Sequence, residues 1–127
     1  MNAHIVDSCG WLEYLADGPN AGFFAKAIED TRHLIVPAIC IYEVFKVVCR
    51  QRGEEDALQA VALMYQGNVV AIDETLALSA AQLGMQLNLP MADSIILAVA
   101  RARKAQIFTQ DADFKSIHGI RFIEKKK

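Results

Sequence analysis

Four acidic residues stand where a folding chain has little structural use for charge. Asp7 directly follows the apolar run "AHIV" (3–6), and Glu43 is embedded in "ICIYEVF" (39–45). Asp93 opens "MADSIILAVA" (91–100), where no further charge appears before Arg101. Asp111 comes two residues after "QIFT" (106–109), and Asp113 lies two further on. Several carboxylates brought within a few Å of one another repel unless some protonate or a cation neutralises them. A donor set made only of oxygen suits a hard divalent ion, Mg²⁺ or Mn²⁺. Such ions keep water and take substrate phosphates as further ligands. The chemistry implied is metal-assisted phosphodiester hydrolysis: water attacks in line while metal charge stabilises the developing oxyanion and the leaving oxygen.

Each acid also has an ordinary reading. Asp93 suits the first turn of a helix, where a negative charge meets the positive end of the dipole. Asp111 or Asp113 suits the cap of a short helix in "ADFKS", and Asp7 can start a turn. Glu43 can pair with Lys46 one turn later. What those readings leave unexplained is why four separate segments should each direct an acid towards one rim.

The segments that must position these acids alternate in kind. "AHIV" (3–6), "HLIV" (33–36), "NVVAI" (68–72), "QIFT" (106–109) and "IRFIE" (120–124) read as strands. The first four are almost continuously apolar, as strands buried on both faces of a parallel sheet are. Between them, 37–53, 54–67, 74–88 and 91–104 have helical spacing, with Ile41, Val44, Phe45 and Val48 forming one stripe. Pro37 suits a first helical turn, and Gly53 and Gly67 suit stops. Strands alternating with helices predict a three-layer α/β/α sandwich with a mostly parallel central sheet of four to five strands. Ligands of such folds bind outside the carboxyl ends of the strands, which is where Asp7 and Asp111 fall.

A chain of 127 residues suits a single domain, 1–127, and 54 % hydrophobic with 22 % charged residues argues against disorder. No apolar run reaches the roughly 18 residues of a membrane span, and the N-terminus lacks the basic region of a signal peptide. The expectation is a soluble, cytoplasmic protein. Cys9, Cys40 and Cys49 follow no metal or disulfide spacing and read as packed thiols; His4, His33 and His118 are scattered. Met64, Met85 and Met91 read as packing residues on apolar helix faces.

The motifs together resemble a known family. "IVDSCGWLEYL", the lone Glu43, "LPMADSIILAVA" and "IFTQDADF" are similar, in order and spacing, to the successive motifs of PIN-domain proteins, and the short layout resembles the VapC toxins of VapBC toxin–antitoxin pairs. The resemblance covers essentially the whole chain. It implies that Asp7, Glu43, Asp93 and Asp111 form a catalytic metal site, with Asp113 in support and the Ser8 and Thr109 hydroxyls steadying the acids. It also implies Mg²⁺- or Mn²⁺-dependent endoribonuclease activity held in check by a cognate antitoxin, and a homodimer. Cys9 departs from the pattern, since many relatives carry a second hydroxyl there, and no second polar contact is expected from it. The aromatic stretch 11–29, with Trp11, Tyr14, Phe23 and Phe24, is either core or part of the dimer contact and antitoxin groove.

The formal net charge of −2 argues at first against nucleic acid. Yet 13 Lys and Arg face 15 acids, so setting four acids aside for metal turns the remaining balance mildly basic. Lys46 and Arg50 follow Glu43 on one helical face and are the candidates for holding RNA phosphates. Arg101, Arg103 and Lys104 form a second patch, although basic residues at a helix C-terminus need no further reason. Two other functions compete with this one. A phosphoacceptor domain wants an acidic pair at the first strand end and an acid after the third; the first strand offers one Asp, Asp73 supplies the acid after the third, and Glu43 and Asp93 are left unused. A non-catalytic PIN-fold binding module acting through a protein partner is at odds with four retained acids.

Overall fold

The computed structural model describes residues 3–126. Five short strands, β1 (His4–Val6), β2 (Leu34–Pro37), β3 (Asn68–Val70), β4 (Gln106–Thr109) and β5 (Ile120–Phe122), form one sheet in the order β3-β2-β1-β4-β5. Every pairing is parallel. Six helices cover it: α1 (Ser8–Leu15), α2 (Ala21–Glu29), α3 (Ala38–Arg52), α4 (Glu54–Met64), α5 (Glu74–Leu87) and α6 (Met91–Arg103). The result is the expected α/β/α sandwich. Strands β2 and β3 extend the sheet on one side of β1, whereas β4 and β5 extend it on the other. The winding therefore reverses between β1 and β4, the kind of crevice where parallel sheets hold ligands.

The core is built from the strands and from the helix faces that cover them. Ile5, Val6, Leu34, Val36 and Ile107 are fully buried beneath Trp11, Phe24, Val44, Ile96 and Leu97. β1 is buried along its whole length, and the ring of His4 anchors α2 to it through Nε2 and the Ala27 carbonyl, 2.8 Å apart. Trp11 and Phe24 resolve to core, whereas Tyr14 and Phe23 pack at its margin.

Three expectations need correction. β3 is exposed rather than buried on both faces, because it is an edge strand with a neighbour on one side only. Pro37 ends β2 and caps α3 in extended geometry instead of entering the first turn; a ring with no N–H can close a strand as easily as open a helix. Met85 and Met91 are 78 % and 74 % exposed, so only Met64 is a packing residue of the three. Among the described residues no single helix is long and apolar enough to cross a membrane.

One glycine decides how α1 meets its neighbours. A Cβ on Gly10 would stand 2.6 Å from the Phe24 ring and 2.7 Å from Val6 Cγ1. Gly10→Ala is therefore expected to lower stability by about 1–3 kcal/mol through overpacking. Denaturant unfolding measures it; an unchanged midpoint would mean that the α1–α2 contact is looser than described.

Candidate metal centre

Asp7, Asp93 and Asp111 reach the same point from three parts of the chain. Asp7 leaves β1 in extended geometry and caps α1, its Oδ1 accepting the Ser8 N–H at 2.7 Å. Asp111 leaves β4 through Gln110 and caps the short 3-10 turn Ala112–Phe114, its Oδ1 accepting the Asp113 N–H at 2.9 Å. Asp93 lies in the first turn of α6, after Pro90. Asp7 and Asp111 cap helices, whereas Asp93 is a first-turn acid of a helix capped by Pro90, and all three carboxylates turn towards one another. One carboxylate oxygen from each residue lies within 4.8 Å of the other two.

The other residues expected at the site attach to this triad in different ways. Thr109 is fully buried; its Oγ1 donates to Asp7 Oδ2 at 2.8 Å and accepts the Asp111 N–H at 2.9 Å, tying two acids together. The Ser8 hydroxyl donates to Glu43 Oε1 at 2.5 Å. Glu43 thus joins through Ser8 and stands outside the three-carboxylate cluster. No ion pair links it to Lys46, whose Nζ lies 5.5 Å from the Tyr42 ring centroid instead. Asp113 is exposed beside the cluster. Lys46 and Arg50 line a groove between α3 and α4 with Ile41, Phe45, Leu58 and Val61, and none of the acids lines it. Asp73, the acid that a phosphoacceptor would use, caps α5 beyond the exposed β3, two strands away from Asp7.

Cys9 was expected to make no second polar contact, and it makes two. Its Sγ lies 3.4 Å from Asp7 Oδ2, to which it donates, and 3.5 Å from Thr109 Oγ1. Burial, reinforced by the Asp7 charge, pushes the thiol up to about 12, so it stays protonated and able to donate. The signal was its place in the first turn of α1, where a side chain folds back towards the N-terminus.

The electrostatics are those of negative charge waiting for a counter-charge. Burial raises the Asp7 carboxyl to about 6, despite hydrogen bonds from Thr109, Cys9 and Ser8 that pull it down. Asp93 rises to about 8, first through burial, then through the charges of Asp7 and Asp111 and a hydrogen bond with Asp111. Near neutral pH, Asp93 thus retains a proton that a divalent ion would displace. The donors fit such an ion: clustered carboxylate oxygens, already oriented by N–H and hydroxyl groups, with no nitrogen ligand among them.

The fold that carries this arrangement has known relatives. No curated protein sequence matches the chain. Its fold is similar to that of a toxin–antitoxin complex from Klebsiella pneumoniae, with TM-score 0.76 and 21 % identity over 94 % of this chain and 96 % of that one. DNA-bound VapBC from Salmonella typhimurium gives TM-score 0.77 at 18 % identity, covering 98 % of both chains. VapC20 of Mycobacterium tuberculosis, a Sarcin-Ricin loop cleaving toxin, gives 0.78 at 17 %, covering 92 % of this chain and 96 % of its own. The family profile of the PIN domain matches residues 4–120, which takes in all four acids. With that span covered from β1 to β5, the chain belongs to the PIN-domain family.

Proposed function

We propose that this chain is a Mg²⁺- or Mn²⁺-dependent endoribonuclease, the toxin component of a type II toxin–antitoxin pair, neutralised by a cognate antitoxin. The observation that carries the reading is the convergence of Asp7, Asp93 and Asp111, from three separate segments, to within 4.8 Å. Structural neighbours described as toxin–antitoxin complexes support the biological half of it.

In this reading Asp7, Asp93 and Asp111 hold the ion, and Glu43 completes the acidic set from the Ser8 side. A bound Mg²⁺ or Mn²⁺ would supply the positive charge that activates water and stabilises the charge developing on the phosphoryl oxygens. The chain's own work is orientation. Thr109 and Cys9 fix Oδ2 of Asp7, the Ser8 N–H fixes Oδ1, and the Asp113 N–H fixes Asp111. Asp93, whose carboxyl burial and the neighbouring acids hold well above its ordinary value, would bind such an ion as the carboxylate. Lys46 and Arg50 remain the candidates for distant RNA phosphates, reached along the α3–α4 groove. The whole chain, 1–127, acts as one PIN-like domain, in the cytoplasm and as a homodimer.

The test is cleavage of structured RNA by purified protein across a titration of Mg²⁺ and Mn²⁺. Cleavage is expected to need the cation and to stop with chelator. Equal cleavage by wild type and Asp93→Asn would overturn the assignment. A mass gain on the protein after incubation with a small phosphodonor would favour a phosphoacceptor instead; none is expected.

A further inference from the structure

The turn that carries Asp111 is gripped from a second direction, by residues that belong to no part of the acidic cluster. Gln110, between Thr109 and Asp111, is 7 % exposed. Its Oε1 accepts a hydrogen bond from Asn20 Nδ2 at 2.9 Å, and its Nε2 donates to Glu13 Oε1 at 3.4 Å. Asn20 is 2 % exposed. Its backbone N–H donates to Glu13 Oε2 at 2.7 Å, and its Nδ2 also donates to the Glu124 carbonyl at 3.0 Å. Gly18 lets the loop run close: a Cβ there would stand 2.6 Å from the Glu13 carboxylate. The network joins α1, the loop before α2, the turn after β4 and the segment after β5.

Packing alone does not account for this arrangement. Apolar side chains at 13, 20 and 110 together would fill this space with no polar side chains to satisfy. Asn20 is turned so that its amide donates to both Gln110 and Glu124, while its Oδ1 is buried with no hydrogen-bond partner. An unpaired buried acceptor costs about 1–3 kcal/mol, so the donors set the orientation. What they hold is the backbone between Thr109 and Asp111. On one side of it the Thr109 hydroxyl bonds Asp7, and on the other Asp111 joins the cluster. A small shift of Gln110 moves both.

We infer that Glu13, Asn20 and Gln110 are a positioning network that fixes the Thr109–Asp111 turn and so sets the cation affinity of the site without touching the ion. This rests on the metal-dependent reading above. Partners that orient metal ligands typically change affinity by about 10- to 100-fold when removed.

The experiment uses the full chain and Mn²⁺ alone, titrated by calorimetry at pH 8. Backbone amide exchange is followed in the metal-free protein, and cleavage kinetics beside both. Gln110→Leu is expected to fold cooperatively yet bind Mn²⁺ about tenfold or more weakly, and Asn20→Ala to do the same. The Asp111 and Asp113 amides should exchange faster in both variants. Loss should fall on kcat, with KM for RNA held. The double variant Glu13→Gln/Gln110→Glu exchanges amide and carboxylate at constant net charge, and should bind within about threefold of wild type. Wild-type affinity in Gln110→Leu and Asn20→Ala, or a double variant as weak as Gln110→Leu, overturns the inference. A wild-type protein that binds no Mn²⁺ overturns the metal centre itself, a separate result.

Discussion

Asp93→Asn is expected to abolish cleavage and strengthen the fold in one step. Activity should fall by about a thousandfold or more, since a catalytic ion contributes several kcal/mol to the transition state and each 1.36 kcal/mol is a factor of ten. The opposite sign on stability comes from the same carboxyl. In wild type, burial and the Asp7 and Asp111 charges make ionisation of Asp93 unfavourable. An amide has no charge to lose and can still donate to Asp111. Metal-free Asp93→Asn should therefore be more stable than wild type at pH 8, by about 1–3 kcal/mol. Parallel urea unfolding and RNA cleavage measure both halves. A variant both inactive and destabilised would mean that Asp93 has a structural role instead.

The second large effect is a reversal of pH dependence by the cation. Asp7 titrates near 3.8 when unfolded and at about 6 in the fold, and Asp93 moves from 3.8 to about 8. Both folded values are raised. Between those limits the folded state holds more protons than the unfolded chain, so metal-free stability must fall as pH rises from about 4 to 8. Asp7 alone accounts for about 3 kcal/mol of that loss by pH 7, at 1.36 kcal/mol per unit; Asp93 adds to it in the same direction. An ion that binds only the deprotonated cluster reverses the trend. Thermal unfolding with and without Mn²⁺, at pH 5 and pH 8, should show little shift at the lower pH and a large one at the higher. Equal shifts at both would mean that the ion binds elsewhere.

Much of this architecture could be read before any coordinates because charge interrupted apolar runs at telling places. Asp7 and Asp111 close strands, and Asp93 opens a helix otherwise uncharged to Arg101. Parallel-sheet topology then carries strand ends to one rim. β3 was misread because an edge position is a property of the assembled sheet, and "NVVAI" has the composition of a buried strand. Lys46 illustrates the limit of helical spacing: a three-residue step rotates far enough that it leans over Tyr42 and leaves Glu43 to Ser8. The Asn20–Gln110 bond joins residues 90 positions apart and left no periodic trace for a sequence to reveal. Cys9 is legible in position but not in chemistry, since a thiol donates to Asp7 only once burial has brought the two together.

The pairing of β1 with β4 aligns His4 with Gln106, and the Thr109–Asp7 bond spans 102 positions. Such contacts form late, because the long intervening loop must close first. A growing chain on the ribosome therefore owns Asp7 from the outset but has nowhere to lodge a cation until residue 111 has emerged. Any chain that stops short of that point lacks Asp111, and with it one of the three carboxylates that make the cluster.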